Sequence, residues 1–138
     1  MIERKRGHIV NIASASSLSG VALMTSYAAS KWAVLGFSES LIYELQMDNH
    51  PISVTSVCPG YIDTGMFDGA NPPWVMPFLK PAKVADSVVR SIERDERLLI
   101  MPPIVKTMAV LRLLPNRVTD FVAHRLGINR SMEEWTGH

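Results

Sequence analysis

The sequence predicts an α/β fold built on a parallel sheet, and three segments carry this prediction. Residues 8–14 form a short apolar run behind Gly7, typical of a strand that is buried on both faces. Residues 26–48 carry apolar side chains at spacings of three and four, which predicts a long amphipathic helix. Residues 52–58 are rich in β-branched side chains and lie between two prolines, which predicts a second strand. The apolar stripe predicted for the helix consists of Val34, Phe37, Leu41 and Leu45.

The rest of the chain continues the alternation of strand and helix. Residues 59–79 contain several prolines and read as a long irregular loop, of the kind that covers a ligand. The large side chains of this loop suggest an apolar pocket or equally an ordinary core; they are Met66, Phe67, Trp74, Met76 and Phe78. A proline opens the next predicted helix, 81–94, and 97–101 is the third predicted strand. Two shorter helices are expected at 104–114 and 117–126. This order is typical of parallel sheets whose strands are joined by crossover helices.

Composition excludes several classes of function. Lys and Arg number 14 and Asp and Glu number 13, so the net charge of +1 predicts no nucleic-acid partner. Cys58 is the single cysteine, which excludes an intrachain disulfide and fits a reducing, cytoplasmic compartment. The charged residues within 2–8 argue against a signal peptide. The His, Cys and Asp residues show no metal-ligand spacing, so no metal is expected.

One apolar stretch, residues 98–114, bears on membrane contact. Lys106 and Arg112 interrupt it, and it is shorter than the about 20 apolar residues of an ordinary membrane span. Residues 104–114 are therefore expected to form an amphipathic helix that packs on the protein's own core or lies on a membrane surface.

Tyr27 and Lys31 are the residues most suggestive of chemistry. Positions i and i+4 share one face of a helix, so both side chains point the same way, and an ammonium beside a phenol favours the phenolate. Ser14, thirteen residues upstream of Tyr27, ends the first strand and offers a hydroxyl. Such a set can transfer a proton to or from an alcohol or carbonyl oxygen. Taken singly, however, each feature is more often structural, and Pro59-Gly60 after a strand is usually a turn.

Other polar residues fit this pattern less well. Ser16, Ser17 and Ser30 lack the matching spacing, and we do not expect them to be catalytic. Asn11 reads as a hydrogen-bonding strand residue and His124 as a surface residue. A hydrolase is disfavoured because Ser14 is not part of a Gly-x-Ser-x-Gly elbow.

Three runs, in this order and spacing, resemble the short-chain dehydrogenases/reductases. They are Gly7-His8-Ile9-Val10-Asn11-Ile12-Ala13-Ser14, Tyr27-Ala28-Ala29-Ser30-Lys31 and Val57-Cys58-Pro59-Gly60-Tyr61-Ile62-Asp63-Thr64. The resemblance is dense over residues 1–67 and looser beyond. Met66-Phe67 and residues 77–81 look like the retinol-dehydrogenase-like branch, some of whose members associate with membranes.

The resemblance implies an NAD(P)-dependent oxidoreductase that interconverts an alcohol and a carbonyl. Tyr27 would be the general acid/base, Ser14 would hydrogen-bond the substrate oxygen, and Lys31 would favour the phenolate and hold the cofactor ribose. Pro59-Gly60 would turn the chain beneath the nicotinamide. The implied cofactor-binding positions are Tyr27, Lys31, Pro59, Gly60, Ile62 (through its backbone) and Thr64.

The resemblance also implies the C-terminal part of a doubly wound parallel-sheet Rossmann-type fold, without its N-terminal strands. Residues 1–138 would be one partial NAD(P)-binding domain, with 102–138 a helical extension. The sequence lacks a Gly-x-x-x-Gly-x-Gly motif, the turn that holds a dinucleotide pyrophosphate at a helix N-terminus. A truncated fragment or interaction remnant without catalytic competence therefore stays as the alternative. The expected partners are a small, apolar alcohol or carbonyl substrate and, for a full-length protein, further copies of itself.

Overall fold

A three-stranded parallel sheet organises the molecule. The computed structural model describes residues 1–136, and the predicted domain's last two residues lie outside them. The strands are β1 (Gly7–Ile12), β2 (Ile52–Pro59) and β3 (Leu98–Met101), in the order β1-β2-β3. The register pairs Gly7 with Ile52 and Ser56 with Leu98, so all three carboxyl ends meet at one edge of the sheet.

Within residues 1–136, four α-helices accompany the sheet, and three of them begin and end within one residue of their predicted bounds. They are α1 (Thr25–Met47), α2 (Pro81–Glu93), α3 (Lys106–Leu111) and α4 (Asn116–Arg125). The helix predicted at 104–114 is shorter than expected: a 3-10 turn occupies Pro103–Val105, and α3 ends three residues before the predicted boundary. Successive prolines before this segment and Pro115 after it limit the length available to a regular helix.

Strand β2 is the best-covered element, since Val54 to Pro59 are all buried. The Thr55 hydroxyl donates to the Glu96 carbonyl at 2.6 Å and lies 2.7 Å from His8 Nε2. Because Thr55 has a single proton, and Glu96 receives it, His8 Nε2 carries the hydrogen of the second bond. One buried threonine of β2 thus connects β1 to the turn that precedes β3.

The apolar stripe predicted on α1 is only partly correct. Leu45 is buried, but Phe37 is 62% exposed because it lies beyond the edge of the helix face that contacts the sheet. A serine occupies the centre of that face. Ser38 Oγ accepts a hydrogen bond from Asn11 Nδ2 at 2.9 Å and donates to the Val34 carbonyl at 2.7 Å, so its burial leaves no polar atom unpaired.

The main apolar cluster lies beyond the carboxyl ends of the strands rather than under the sheet. It contains Met24, Tyr61, Phe67, Met76, Val105 and Met132. Its members come from the loop before α1, the loop after β2 and the C-terminal segment, so burying them folds both ends of the chain over the same sheet edge. Within the described residues, no helix is both long and apolar enough to cross a bilayer.

The Cys58 thiol tests whether water reaches the centre of the sheet. Burial raises the pKa of the Cys58 thiol from 9.0 to about 11, with a smaller opposing effect from a hydrogen bond to the Ser14 backbone. Since the folded-state pKa is raised, the buried thiol's contribution to stability is complete below about pH 9 and is lost as the pH rises through about 11. We expect the free energy of unfolding to fall more over this range in the native protein than in Cys58→Ala. The difference between the two falls should reach up to about 3 kcal/mol.

Urea unfolding of both proteins at several pH values measures this difference. Tyrosine and lysine titrations are common to the two proteins and cancel in the comparison. Equal pH dependence would mean that water reaches the thiol.

Candidate active site

An apolar cleft opens at the carboxyl edge of the sheet, where ligands bind in parallel α/β folds. Its volume is about 570 Å³ when the open space at its mouth is included. Apart from three serines and two tyrosines, its walls are apolar. The lining residues are Ser14, Ala15, Ser16, Ser19, Val21, Met24, Tyr27, Gly60, Tyr61, Phe67, Pro73, Met76, Val105, Met108 and Ile128.

Ser14 lies at the base of the cleft, where β1 gives way to a 3-10 turn at Ala15–Ser17. Ser14 is the N-cap of this turn, and its Oγ accepts the Ser16 backbone N–H at 3.2 Å. The Ser14 backbone N–H in turn donates to Ser17 Oγ at 3.3 Å. Because Ser14 Oγ accepts from the turn, its own proton remains available to a ligand oxygen in the cleft.

Ser17 connects this turn, Ser14 to Ser17 (the serine turn), to helix α1. Its buried hydroxyl donates to the Lys31 carbonyl at 2.8 Å while accepting from Ser14. Trp32 is the residue after Lys31 on α1, and its indole N–H donates to the Ser16 carbonyl. The sequence prediction gave Ser17 no part in catalysis, and the structure gives it a positioning role between the two predicted catalytic segments.

Tyr27 and Lys31 lie one turn apart near the start of α1, as their spacing predicts. Tyr27 lines the cleft and is half-buried, whereas Lys31 stands behind it with Nζ 5.6 Å from the Tyr27 ring centroid. Lys31 Nζ also donates to the Ile12 carbonyl at 3.0 Å. Strand β1 therefore fixes the ammonium beside the phenol, with two further N–H donors unused by that bond.

Pro59-Gly60 ends β2 in a tight turn against β3. The Gly60 N–H donates to the Met101 carbonyl at 2.7 Å, and a Cβ at Gly60 would lie 3.2 Å from Pro102 Cδ. A larger residue would therefore push this turn away from β3. Ile62 and Thr64 follow outside the cleft lining, where the Thr64 N–H donates to the Ile62 carbonyl at 2.9 Å and the Thr64 side chain is exposed.

The segment that carries the predicted site residues matches a known protein family. The family model for short chain dehydrogenases matches residues 1–73, more than half of the chain.

The chain belongs to the short-chain dehydrogenase/reductase family.

Its relatives place it on the retinol-dehydrogenase-like branch of this family. It is 36% identical to human epidermal retinol dehydrogenase 2 over 96% of the chain and 44% of that protein. It is 34% identical to retinol dehydrogenase 10 of Xenopus tropicalis, over 96% of the chain and 40% of that protein. The chain thus spans less than half the length of these curated relatives.

Solved structures of short-chain dehydrogenases share the fold. One from Burkholderia cenocepacia J2315, in complex with NADP, has a TM-score of 0.71 and 26% identity over 91% of this chain and 49% of that one. One from Burkholderia phymatum, in complex with NAD, has a TM-score of 0.71 and 22% identity over 88% and 51%. The predicted α/β fold, as part of a doubly wound parallel-sheet Rossmann-type fold, is confirmed by these matches.

The loop after β2 contributes to the cleft less than its composition suggests. Of its large apolar residues, Phe67 and Met76 line the cleft, but Trp74 is 84% exposed, and Met66 and Phe78 are also exposed. The wall is completed by Val105, Met108 and Ile128, which no sequence signal linked to Ser14 or Tyr27. Within residues 1–136, no group of acidic, His or Cys side chains is arranged to hold a metal ion.

The C-terminal segment is held on the cleft by Tyr61. Its hydroxyl donates to Ser131 Oγ at 2.9 Å, and Ser131 Oγ donates to the Ile128 carbonyl at 2.7 Å. Burial raises the pKa of Tyr61, and the bond to Ser131 opposes this rise. Gly69, with φ of +81°, approaches the Glu134 carbonyl so closely that a Cβ there would collide with it.

Proposed function

We propose that the protein is an NAD(P)-dependent oxidoreductase that interconverts an apolar alcohol and its carbonyl, with residues 1–138 as the catalytic part of the domain. The observation that carries this proposal is the convergence of Ser14 and Tyr27 on one apolar cleft, with Lys31 fixed behind the tyrosine. The complexes of related structures with NAD and NADP support the choice of cofactor.

In this mechanism Tyr27 exchanges the proton and Ser14 holds the oxygen. In the reducing direction the phenol donates its proton to the carbonyl oxygen, and in the oxidising direction the phenolate accepts the proton of the alcohol. The Ser14 hydroxyl donates to the same oxygen and stabilises the negative charge that develops on it. The Lys31 ammonium is held behind the Tyr27 ring by its bond to the Ile12 carbonyl. The apolar walls exclude water from the proton transfer.

The residues present fit the nicotinamide end of the cofactor. The donors suited to it are Lys31 Nζ, which keeps two N–H groups for ribose hydroxyls, and the Thr64 hydroxyl, which is exposed. Gly60 lines the cleft and has no side chain that would obstruct a flat ring there. When bound, the nicotinamide supplies or accepts the hydride. The pyrophosphate-binding motif is not in this sequence, so we assign no residue to that end.

Replacing Tyr27 tests the assignment in the protein as its gene encodes it. Tyr27→Phe keeps the ring but removes the transferable proton, so we expect kcat for an apolar ketone, or for retinol oxidation, to fall by about 10²- to 10⁴-fold. Tyr43→Phe is the matched control, because Tyr43 lies on the same helix and is 62% exposed, away from the cleft. Turnover of Tyr27→Phe equal to that of the control would exclude Tyr27 as the acid/base.

The alternative is that residues 1–138 alone are not catalytically competent, and the missing pyrophosphate motif favours it for this segment. Titration of NADH and NADPH against the isolated 138-residue chain distinguishes the two cases. Micromolar binding with turnover would refute the alternative, whereas turnover found only in a longer protein would support it.

We further propose that the outward side of α1 associates with a second copy of the protein. Phe37, Tyr43 and Met47 are 62%, 62% and 80% exposed, which is unusual for large apolar side chains on one helix. We expect Phe37→Glu to shift the sedimenting species of the full protein towards the monomer. Glu39→Gln, an exposed change on the same helix, is the control. An unchanged oligomer in Phe37→Glu would remove this surface from consideration.

Helices α3 and α4 offer a surface suited to anionic lipid. Leu113 and Phe121 are 85% and 65% exposed, and residues 104–125 contain four Lys or Arg against a single acid, Asp120. Such a combination binds the interface of an anionic membrane peripherally. We expect flotation with phosphatidylserine vesicles to be reduced by Leu113→Asp and not by Trp74→Asp, which changes an exposed apolar residue elsewhere. Equal flotation of both variants would contradict a lipid-binding role for this surface.

A further inference from the structure

Among the described residues, Ser16 Oγ is the one fully buried side-chain oxygen or nitrogen without a hydrogen-bond partner. Its neighbours are paired: the Ser14 N–H donates to Ser17 Oγ, Ser14 Oγ accepts the Ser16 N–H, and the Tyr61 hydroxyl donates to Ser131 Oγ. Ser16 is 6% exposed, and its buried Oγ has no hydrogen-bond partner among the described residues. A buried hydroxyl without a partner is costly, so such groups are usually completed by a ligand or an ordered water.

The backbone of Ser16 is fixed on both sides, which makes its hydroxyl a preorganised group. Its N–H donates to Ser14 Oγ at 3.2 Å, and its carbonyl accepts the indole N–H of Trp32. The guanidinium of Arg112 packs over the Trp32 ring at 4.3 Å and holds the indole in place. With the backbone fixed, rotation about χ1 is the remaining freedom of this side chain, and Ser16 is one of the residues that line the cleft.

The two hydroxyls are close enough to act on one small group. Ser16 N lies 3.2 Å from Ser14 Oγ. Since a serine Oγ is bonded through Cβ to its own Cα, the two Oγ atoms lie within roughly 7 Å of each other. This separation accommodates two oxygens on adjacent carbons, each hydrogen-bonded to one serine.

We propose that Ser16 is a specificity-determining residue that binds a second substrate oxygen on the carbon next to the reacting one. The preferred substrates are then α-hydroxy ketones and the corresponding vicinal diols with an apolar remainder. Ser14 binds the reacting oxygen and Ser16 the neighbouring hydroxyl, while Val21, Met24 and Met76 surround the rest. A hydrocarbon ketone without this hydroxyl leaves Ser16 unpaired and is bound less well. This inference rests on the proposed oxidoreductase function.

A matched pair of ketones tests the proposal in the protein as its gene encodes it. The pair is 2-hydroxyacetophenone and acetophenone, which differ by the one hydroxyl. We expect the native protein to favour the hydroxy ketone at least tenfold in kcat/KM and in calorimetric affinity. Ser16→Ala is expected to lose that preference through the hydroxy ketone alone, with acetophenone unchanged. Ser40→Ala, which alters an exposed serine of α1 outside the cleft lining, is the control and should keep the preference.

The outcomes separate this inference from the proposed function. Two results would show that Ser16 does not bind a second substrate oxygen, even if the protein is an active reductase. Ser16→Ala could retain the preference for the hydroxy ketone, or the native protein could bind both ketones equally. If neither ketone is turned over, the reductase assignment for these substrates fails, while calorimetry still decides the role of Ser16. Equal loss of affinity for both ketones in Ser16→Ala would indicate a structural role and overturn the proposal.

Discussion

The pairing of β2 with a parallel strand on each side is the constraint on which the rest of the structure depends. It brings the ends of β1, β2 and β3 to one edge, so that Ser14 and Pro59-Gly60 emerge beside each other although 45 residues separate Ser14 from Pro59. Helix α1 connects the first two strands and places Tyr27 at the same edge. Without this register the predicted catalytic residues would have no common cleft.

Buried serines and a threonine hold the elements together with hydrogen bonds that also satisfy their own polar atoms. Ser38 connects α1 to β1 through Asn11, Thr55 connects β1, β2 and the turn before β3, and Ser17 connects the serine turn to α1. Each such bond contributes only about 1 kcal/mol net to the free energy of unfolding. Removing one partner leaves a buried group unpaired, which destabilises the fold by about 1–3 kcal/mol. Polar side chains therefore specify how these elements dock, and apolar burial supplies the stability.

The sequence was most informative where a feature is local. Helix α1 and strand β2 begin and end within one residue of the predicted bounds, because their periodicity and flanking prolines are read from neighbouring residues. The juxtaposition of Tyr27 and Lys31 follows from helical spacing alone. The exposed Phe37 was predicted wrongly, since spacing gives the angle of a side chain but not the width of the face that contacts the sheet.

Features that depend on distant segments escaped prediction. Val105, Met108 and Ile128 complete the cleft from positions that carry no motif, and nothing local marks Ser131 as the partner of Tyr61. The small role of Trp74 has the same origin, because composition does not tell which side chains of a long loop turn inward. Ser16 was set aside on spacing, and its unpaired hydroxyl became visible only once the surrounding hydrogen bonds were known.

The Tyr61–Ser131 contact has a consequence for biosynthesis. Domains generally fold from the N-terminus during synthesis, and the β1–α1–β2 unit is contained in residues 7–59. Ile128, by contrast, is the last cleft residue to leave the ribosome. The nascent chain therefore carries a sheet edge with an unfinished apolar wall while residues 60–128 are synthesised. During that interval Met24, Phe67 and Met76 are the surface that chaperones would be expected to engage.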